Sequence, residues 1–174
     1  MKLLTSIWLI AGWFSFYQTP VLESRSVIEN TVSIKMPVEW KPMPDYQIKI
    51  KYPGSNPPKH VFSDKSGTIS IAFNLTESKA SPQVLEQYLN VLKKSLEDAY
   101  PSAEWQSSEI TTINNKKVGV FKLLTPVKDD TIFNYFVFTD VNGKLLITTF
   151  NCPERKVKDW GRVSEEMMGS LEVR

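Results

Sequence analysis

The apolar positions of the chain change period several times, and each change marks an element. Val32 to Met36 alternates apolar and polar residues and stops at Pro37, which predicts a short strand. Trp40 to Pro44 holds Pro42 and Pro44, which forbid regular pairing and predict a turn. Tyr46 to Tyr52 stays open. Ile48 and Ile50 alternate as in a strand, but a start after Pro44-Asp45 suits a short helix equally. Pro53 to Lys59 reads as a loop on its turn residues. His60–Ser63 and Thr68–Asn74 flank Asp64-Lys65-Ser66-Gly67 and predict a hairpin. In its second strand Ile69, Ile71 and Phe73 share one face. Thr68, Ser70 and Ala72 share the other, a face small enough to lie under a closely packed helix or at solvent.

Helical spacing follows. Ser81-Pro82 supplies a cap and a first-turn proline, and Val84, Leu85, Tyr88, Leu89, Leu92 and Leu96 form one stripe up to Tyr100-Pro101. A meander comes next: residues 103–112, a turn at Asn114-Asn115, Lys117–Leu124, a long loop over 125–130, and Thr131–Asp140. That last strand is apolar on both faces, so it is predicted to be central and covered on both sides. Asn142-Gly143 predicts a two-residue hairpin into Leu145–Cys152, which Pro153 ends. Residues 154–171 read as a final helix with Val157, Trp160, Val163, Met167, Met168 and Leu171 inward. Tight turns make the strands antiparallel, and two long helices must each bury a stripe. The predicted architecture is an α/β/α sandwich on a largely antiparallel sheet.

The N-terminus behaves differently. Lys2 precedes Leu3 to Phe16, fourteen residues without charge, shorter than a ~20-residue membrane span and matching a secretory h-region. Residues 1–19 are therefore read as a signal peptide. No clean small-x-small site follows it, so an uncleaved N-terminal anchor competes, and a first element of the folded body is a third reading. Residues 20–31 are polar, carry both charge signs and read as a linker, leaving 32–174 as one domain. The protein is thus expected to be exported, periplasmic or secreted, with membrane contact only through an uncleaved leader.

Composition narrows function chiefly by exclusion. The net charge is +2 and Lys2 supplies part of it, so nothing recommends nucleic acid as a partner. One histidine and one cysteine, at no ligand spacing, do not suggest a metal centre, and Asp129-Asp130 and Glu165-Glu166 read as solvated charge. The seven glycines are scattered and form no phosphate loop, and no cofactor is implied. A thiol enzyme would need Cys152 activated by His60. Cys152 shares its strand face with Leu146 and Phe150, which favours a buried thiol. Asn74-Leu75-Thr76 is a glycosylation sequon that chance explains better. No catalytic residue is assigned. A candidate partner surface is the aromatic and proline-rich rim, represented by Trp40, Tyr46, Tyr52, Pro57 and Pro58. The competing reading is that Trp40 and the tyrosines plug the edge of the core.

The order and spacing of these pieces carry a resemblance. Pro37-Val38-Glu39-Trp40 ends the early strand, and Val61-Phe62-Ser63-Asp64 leads into Thr68 to Phe73. Ile113-Asn114-Asn115-Lys116-Lys117 turns into a strand, Phe150-Asn151-Cys152-Pro153 ends another, and the last helix closes on Ser170-Leu171. In this the chain resembles the PsbP-like fold family, which includes PsbP, the yeast Ran-binding protein Mog and DcrB-type exported bacterial proteins. The likeness covers about residues 32–172. It implies a fold and a binding or assembly role without a reaction. The photosynthetic and Ran-related roles are not implied, because no residue identifies a photosystem contact and a leader removes the protein from the nucleus. The expected partner is an envelope or secreted protein. A small-ligand or lipid carrier, with an aromatic-lined pocket between sheet and helix, is the alternative.

Overall fold

The computed structural model describes residues 19–54 and 56–174. The predicted signal peptide lies outside the described residues, apart from Thr19. Ten strands and three helices follow in the order β1 (Leu22–Val27), β2 (Val32–Pro37), β3 (Lys41–Pro42), α1 (Asp45–Lys51), β4 (His60–Ser63), β5 (Ser70–Lys79), α2 (Leu85–Ala99), β6 (Glu104–Ile113), β7 (Lys116–Val127), β8 (Asp130–Val141), β9 (Lys144–Pro153), α3 (Val157–Gly169) and β10 (Glu172–Val173). A 3-10 turn, Glu154–Lys156, leads into α3.

Seven strands form one antiparallel sheet in the order β3-β4-β5-β9-β8-β7-β6, and β1-β2-β10 form a second. The hairpins carry the backbone that their sequences demand. Asn114, Asn115 and Asn142 take positive φ of 47°, 63° and 50°, and Gly143 takes 77°. β8 is an interior strand of the large sheet, as its two apolar faces require. Phe133, Tyr135 and Val137 belong to the core on one side, whereas Phe138 belongs to the core on the other.

The two faces are covered unequally. On one lie α3 and the small sheet, sealing a core of Val32, Ile34, Met36, Ile71, Phe73, Phe150 and Met167. On the other, α2 packs over β6 and β7, setting Leu85, Leu89, Leu92 and Leu96 against Phe121, Leu123 and Phe138. α1 covers β4 and β5 at the far side, where Met43 and Ile48 meet Val61 and Ala72. The expected α/β/α layering holds, with a three-stranded sheet sharing the α3 layer. Ser70 and Ala72, the small face of β5, do lie under a helix, α1.

Several expectations need correction. Residues 20–31 are not a linker: Leu22–Val27 pairs along its length with β2. Its alternation is masked by exposed charges, and its anchoring is polar. The Arg25 guanidinium donates to the carbonyls of Trp40 (2.7 Å), Val38 (2.7 Å) and Pro37 (3.3 Å). The long 125–130 loop is instead a tight hairpin, with β7 and β8 paired out to Val127 and Asp130. The ambiguous Tyr46–Tyr52 segment is helical. Asp45 stands in its first turn and Lys49 and Lys51 in its last, each matching the helix dipole.

Candidate functional site

The unequal covering leaves a cleft between α2 on one side and Tyr52 and Pro58 on the other. Its floor comes from β5, β9, β8 and β7, through Ala72, Asn74, Ile147, Thr149, Asn151, Asn134, Phe136, Leu123 and Thr125, and Leu96, Tyr100, Tyr52 and Pro58 wall it. Its volume is about 320 Å³. That lies at the lower end of the ~300–1,000 Å³ typical of ligand pockets.

Across the floor runs a chain of hydrogen bonds. Ser70, Asn151, Asn134 and Leu123 are register partners on four adjacent strands, so three polar side chains stand side by side in the sheet. Asn151 Nδ2 donates to Asn134 Oδ1 at 2.6 Å, and Asn134 Nδ2 donates to Thr125 Oγ1 at 2.8 Å and to the Ile132 carbonyl at 3.0 Å. The Tyr52 hydroxyl donates to Asn151 Oδ1 at 3.2 Å and lies 3.1 Å from Ser70 Oγ. Its single proton is committed to Asn151, so Ser70 must be the donor to Tyr52. The chain then runs one way: Ser70 to Tyr52 to Asn151 to Asn134 to Thr125, and Thr125 donates to the Ile132 carbonyl at 3.4 Å. Aligned bonds of this kind polarise one another. Burial pushes the Tyr52 phenol above its ordinary pKa against the opposing hydrogen bond from Ser70, so the group stays a neutral donor.

The sequence-predicted rim separates into three fates. Trp40 is fully buried, stacked on Trp160 with centroids 5.5 Å apart, and offers no surface. It is a core residue, with Trp160 of α3 stacked on its ring and Arg25 of β1 holding its carbonyl. Tyr46 is 64% exposed on α1, and Pro57 borders a shallow depression beside α1. Tyr52 and Pro58 are brought together, as walls of the cleft. Sequence reading missed Asn134 and Asn151, although each carried a signal. An asparagine inside Ile132 to Phe138, and another between Phe150 and Cys152, are polar residues in strands that are otherwise core. Asn74, singled out only as a sequon, lies half-buried in a strand on the cleft floor.

The thiol pair does not assemble. Cys152 is fully buried on the opposite face of the sheet, and burial pushes its thiol up to about 12, against the opposing effect of Lys51. His60 pairs with Phe73, whereas Cys152 stands one position beyond the Ser70–Asn151 pair, two strands away. Strand spacing puts the two residues roughly 16 Å apart. Among the described residues no group of three or more His, Cys, Asp and Glu side chains is placed to hold a metal. Asp130 pairs with Arg155, and Glu165 pairs with Lys122 and accepts from Tyr135. Among the described residues no helix is long and apolar enough to cross a membrane.

No protein-family model matches the chain, and no curated protein matches it in sequence. Solved structures do match. Cyanobacterial PsbP (CyanoP) from Synechocystis superposes with a TM-score of 0.64 at 14% identity, over 88% of this chain and 92% of that one. LpqN of Mycobacterium tuberculosis, involved in cell envelope biogenesis, gives 0.52 at 12% identity over 82% of each chain. The Saccharomyces cerevisiae Ran-binding protein Mog1p gives 0.50 at 8% identity, over 88% of this chain and 96% of that one. The chain has the PsbP-like fold that its order of elements suggested.

Proposed function

We propose that this protein is a non-catalytic binding module of the cell envelope, exported by its N-terminal segment, that engages an envelope protein at the cleft between α2 and the pair Tyr52 and Pro58. The observation that carries this reading is the cleft itself, an open slot with apolar walls and a hydrogen-bonded polar floor. Such a slot suits recognition. Among the described residues its lining has no nucleophilic thiol, no histidine and no carboxylate, and so none of the usual acid–base groups of a hydrolytic or transfer site. The uncharged run of residues 3–16 supports export. The similarity to LpqN is in keeping with an envelope role, and that to Mog1p with a protein partner.

A photo-crosslinking residue at Tyr100, on the cleft rim, tests this in cells. It should capture an envelope protein, and Thr149→Phe, which fills the slot, should abolish the adduct. The same crosslinker at Val38, which does not border the cleft, serves as control. Equal capture from both positions, or capture unaffected by Thr149→Phe, would refute the assignment. The second reading, a small-ligand carrier, draws on the same cleft volume. It predicts ligand mass retained in native mass spectrometry and lost with Thr149→Phe.

A further inference from the structure

The cleft lining also selects a chemical class of ligand, and this step rests on the reading that the cleft is the binding site. Among the described residues, none of the thirteen that line it is Asp, Glu, Lys, Arg or His. A charged group entering it would lose water and meet no opposite charge, which is strongly unfavourable. The occupant is therefore uncharged where it is buried.

The floor also tells an amide from a hydrocarbon. The internal chain of bonds uses both Nδ2 hydrogens of Asn134 but only one of Asn151. Asn151 therefore keeps one N–H at the floor. On the same face of β5 and β9, Asn74 and Thr149 are half-buried, and their side chains make no hydrogen bond among the described residues. Together they set donors and acceptors in a row along the floor, with Thr149 between Asn74 and Asn151, which strand spacing puts roughly 14 Å apart, and Phe136, Leu96 and Ile147 border the row. A bare alkyl chain would cover these groups without satisfying them, at roughly five-fold or more in affinity for each. A neutral amide attached to an apolar side chain would satisfy both halves of the surface.

We infer that the cleft binds an uncharged peptide segment of its partner, taking one apolar side chain against Phe136, Leu96 and Ile147. One flanking backbone amide would then accept from Asn151 Nδ2 and bond Thr149, and the amide on the other side of that residue would bond Asn74. The slot is too small for a diacyl lipid and suits the insertion of one residue with its flanking amides.

Isotope-labelled full-length protein titrated with N-acetyl-leucinamide tests this by NMR. The side-chain amide signals of Asn151 and Asn74 should shift together with backbone signals of β9. N-acetyl-leucine, which carries a carboxylate, should bind at least ten-fold more weakly, and isopentanol, of similar apolar bulk without an amide, at least five-fold more weakly. Asn74→Ala, outside the internal hydrogen-bond chain, should cost about five-fold in amide affinity while the rest of the spectrum stays native. Equal affinity for carboxylate, alcohol and amide, or no cleft shifts at tens of millimolar amide, overturns the peptide assignment. The broader reading fails separately, if crosslinking from Tyr100 survives Thr149→Phe.

Discussion

Trp40 was a candidate for a binding surface and is a core residue, and two substitutions separate the two roles. Trp40→Ala removes a fully buried indole and its stack on Trp160, which itself stacks near Phe150 at 6.3 Å. Such deletions cost about 3–5 kcal/mol. Trp40→Phe should behave very differently. A phenyl ring on Cβ fills the near part of the indole's space, and the outer ring carbons it does not replace are worth roughly 1.6–2.4 kcal/mol of burial. Against this, Trp40 Nε1 is buried with no hydrogen-bond partner among the described residues, so its removal returns a desolvation penalty of about 1–3 kcal/mol. The two nearly cancel, and Trp40→Phe should lie within about 1 kcal/mol of wild type. For a body of this size, 1 kcal/mol moves Tm by about 2–4 °C. Circular dichroism melts should therefore show Trp40→Ala down by roughly 6–20 °C and Trp40→Phe shifted by less than about 4 °C. A Trp40→Phe variant that falls as far as Trp40→Ala would mean that the indole N–H has a partner and would refute the cancellation. A Trp40→Ala variant that melts like wild type would refute the burial.

Three further outcomes follow from particular contacts. A Cβ added at Gly119 would meet Phe138 Cζ at 1.9 Å, so Gly119→Ala should destabilise by about 2 kcal/mol or more in urea titrations, and Phe138→Leu in the same chain should recover part of it. Asn134→Ala and Asn151→Ala should be non-additive by about 0.5–3 kcal/mol in a double-mutant cycle, because each breaks the same bond; additive costs would dissolve the chain. Burial lowers Lys51 from 10.5 to about 8, against the opposing effects of Asp64 and Cys152. Between those values the unfolded chain holds more proton than the native one, so stability should rise with pH across roughly pH 8–10.5 relative to Lys51→Met. A pH-independent difference between the two proteins would contradict the burial.

Most of the large sheet was legible because its turns announce themselves. Asn114-Asn115 and Asn142-Gly143 take positive φ, and they fix two hairpins, β6-β7 and β8-β9, before any packing is considered. The two long helices were legible for the same local reason, a single apolar stripe. β1 was not, because it holds its place through pairing with β2 and through one arginine reaching carbonyls twelve to fifteen residues away. Such contacts leave no period in the sequence. The cleft floor was half legible. Asn134 and Asn151 are anomalous in apolar strands, but only the register of β8 with β9 makes them neighbours. Trp40 could not be assigned from its own segment, since the ring stacked on it, Trp160, lies on α3, and the arginine that holds its carbonyl lies on β1.

The cleft follows from the widths of the layers, and this can be tested on two adjacent residues. Seven strands span about 29 Å across the sheet, whereas two helices of ~10 Å diameter cover about 20 Å. α1 has only seven residues, so it covers even less along the strands. The uncovered part falls over β5, β9 and β8, where Thr149 stands between its register partners Ala72 and Phe136. Its neighbour Thr148 points the other way, into the core under α3 and the small sheet, and is fully buried. The same substitution should therefore have opposite consequences one residue apart. Thr149→Phe enters open space beside Phe136 and Ile147, loses no hydrogen bond, and should leave stability unchanged or raise it by about 1 kcal/mol while blocking partner capture. Thr148→Phe must displace packed side chains and should cost about 1–3 kcal/mol or more. Urea titration of the two variants side by side gives the answer. If Thr149→Phe destabilises as much as Thr148→Phe, the face under α1 and α2 is closed rather than open, and the binding site assigned to it falls with the slot.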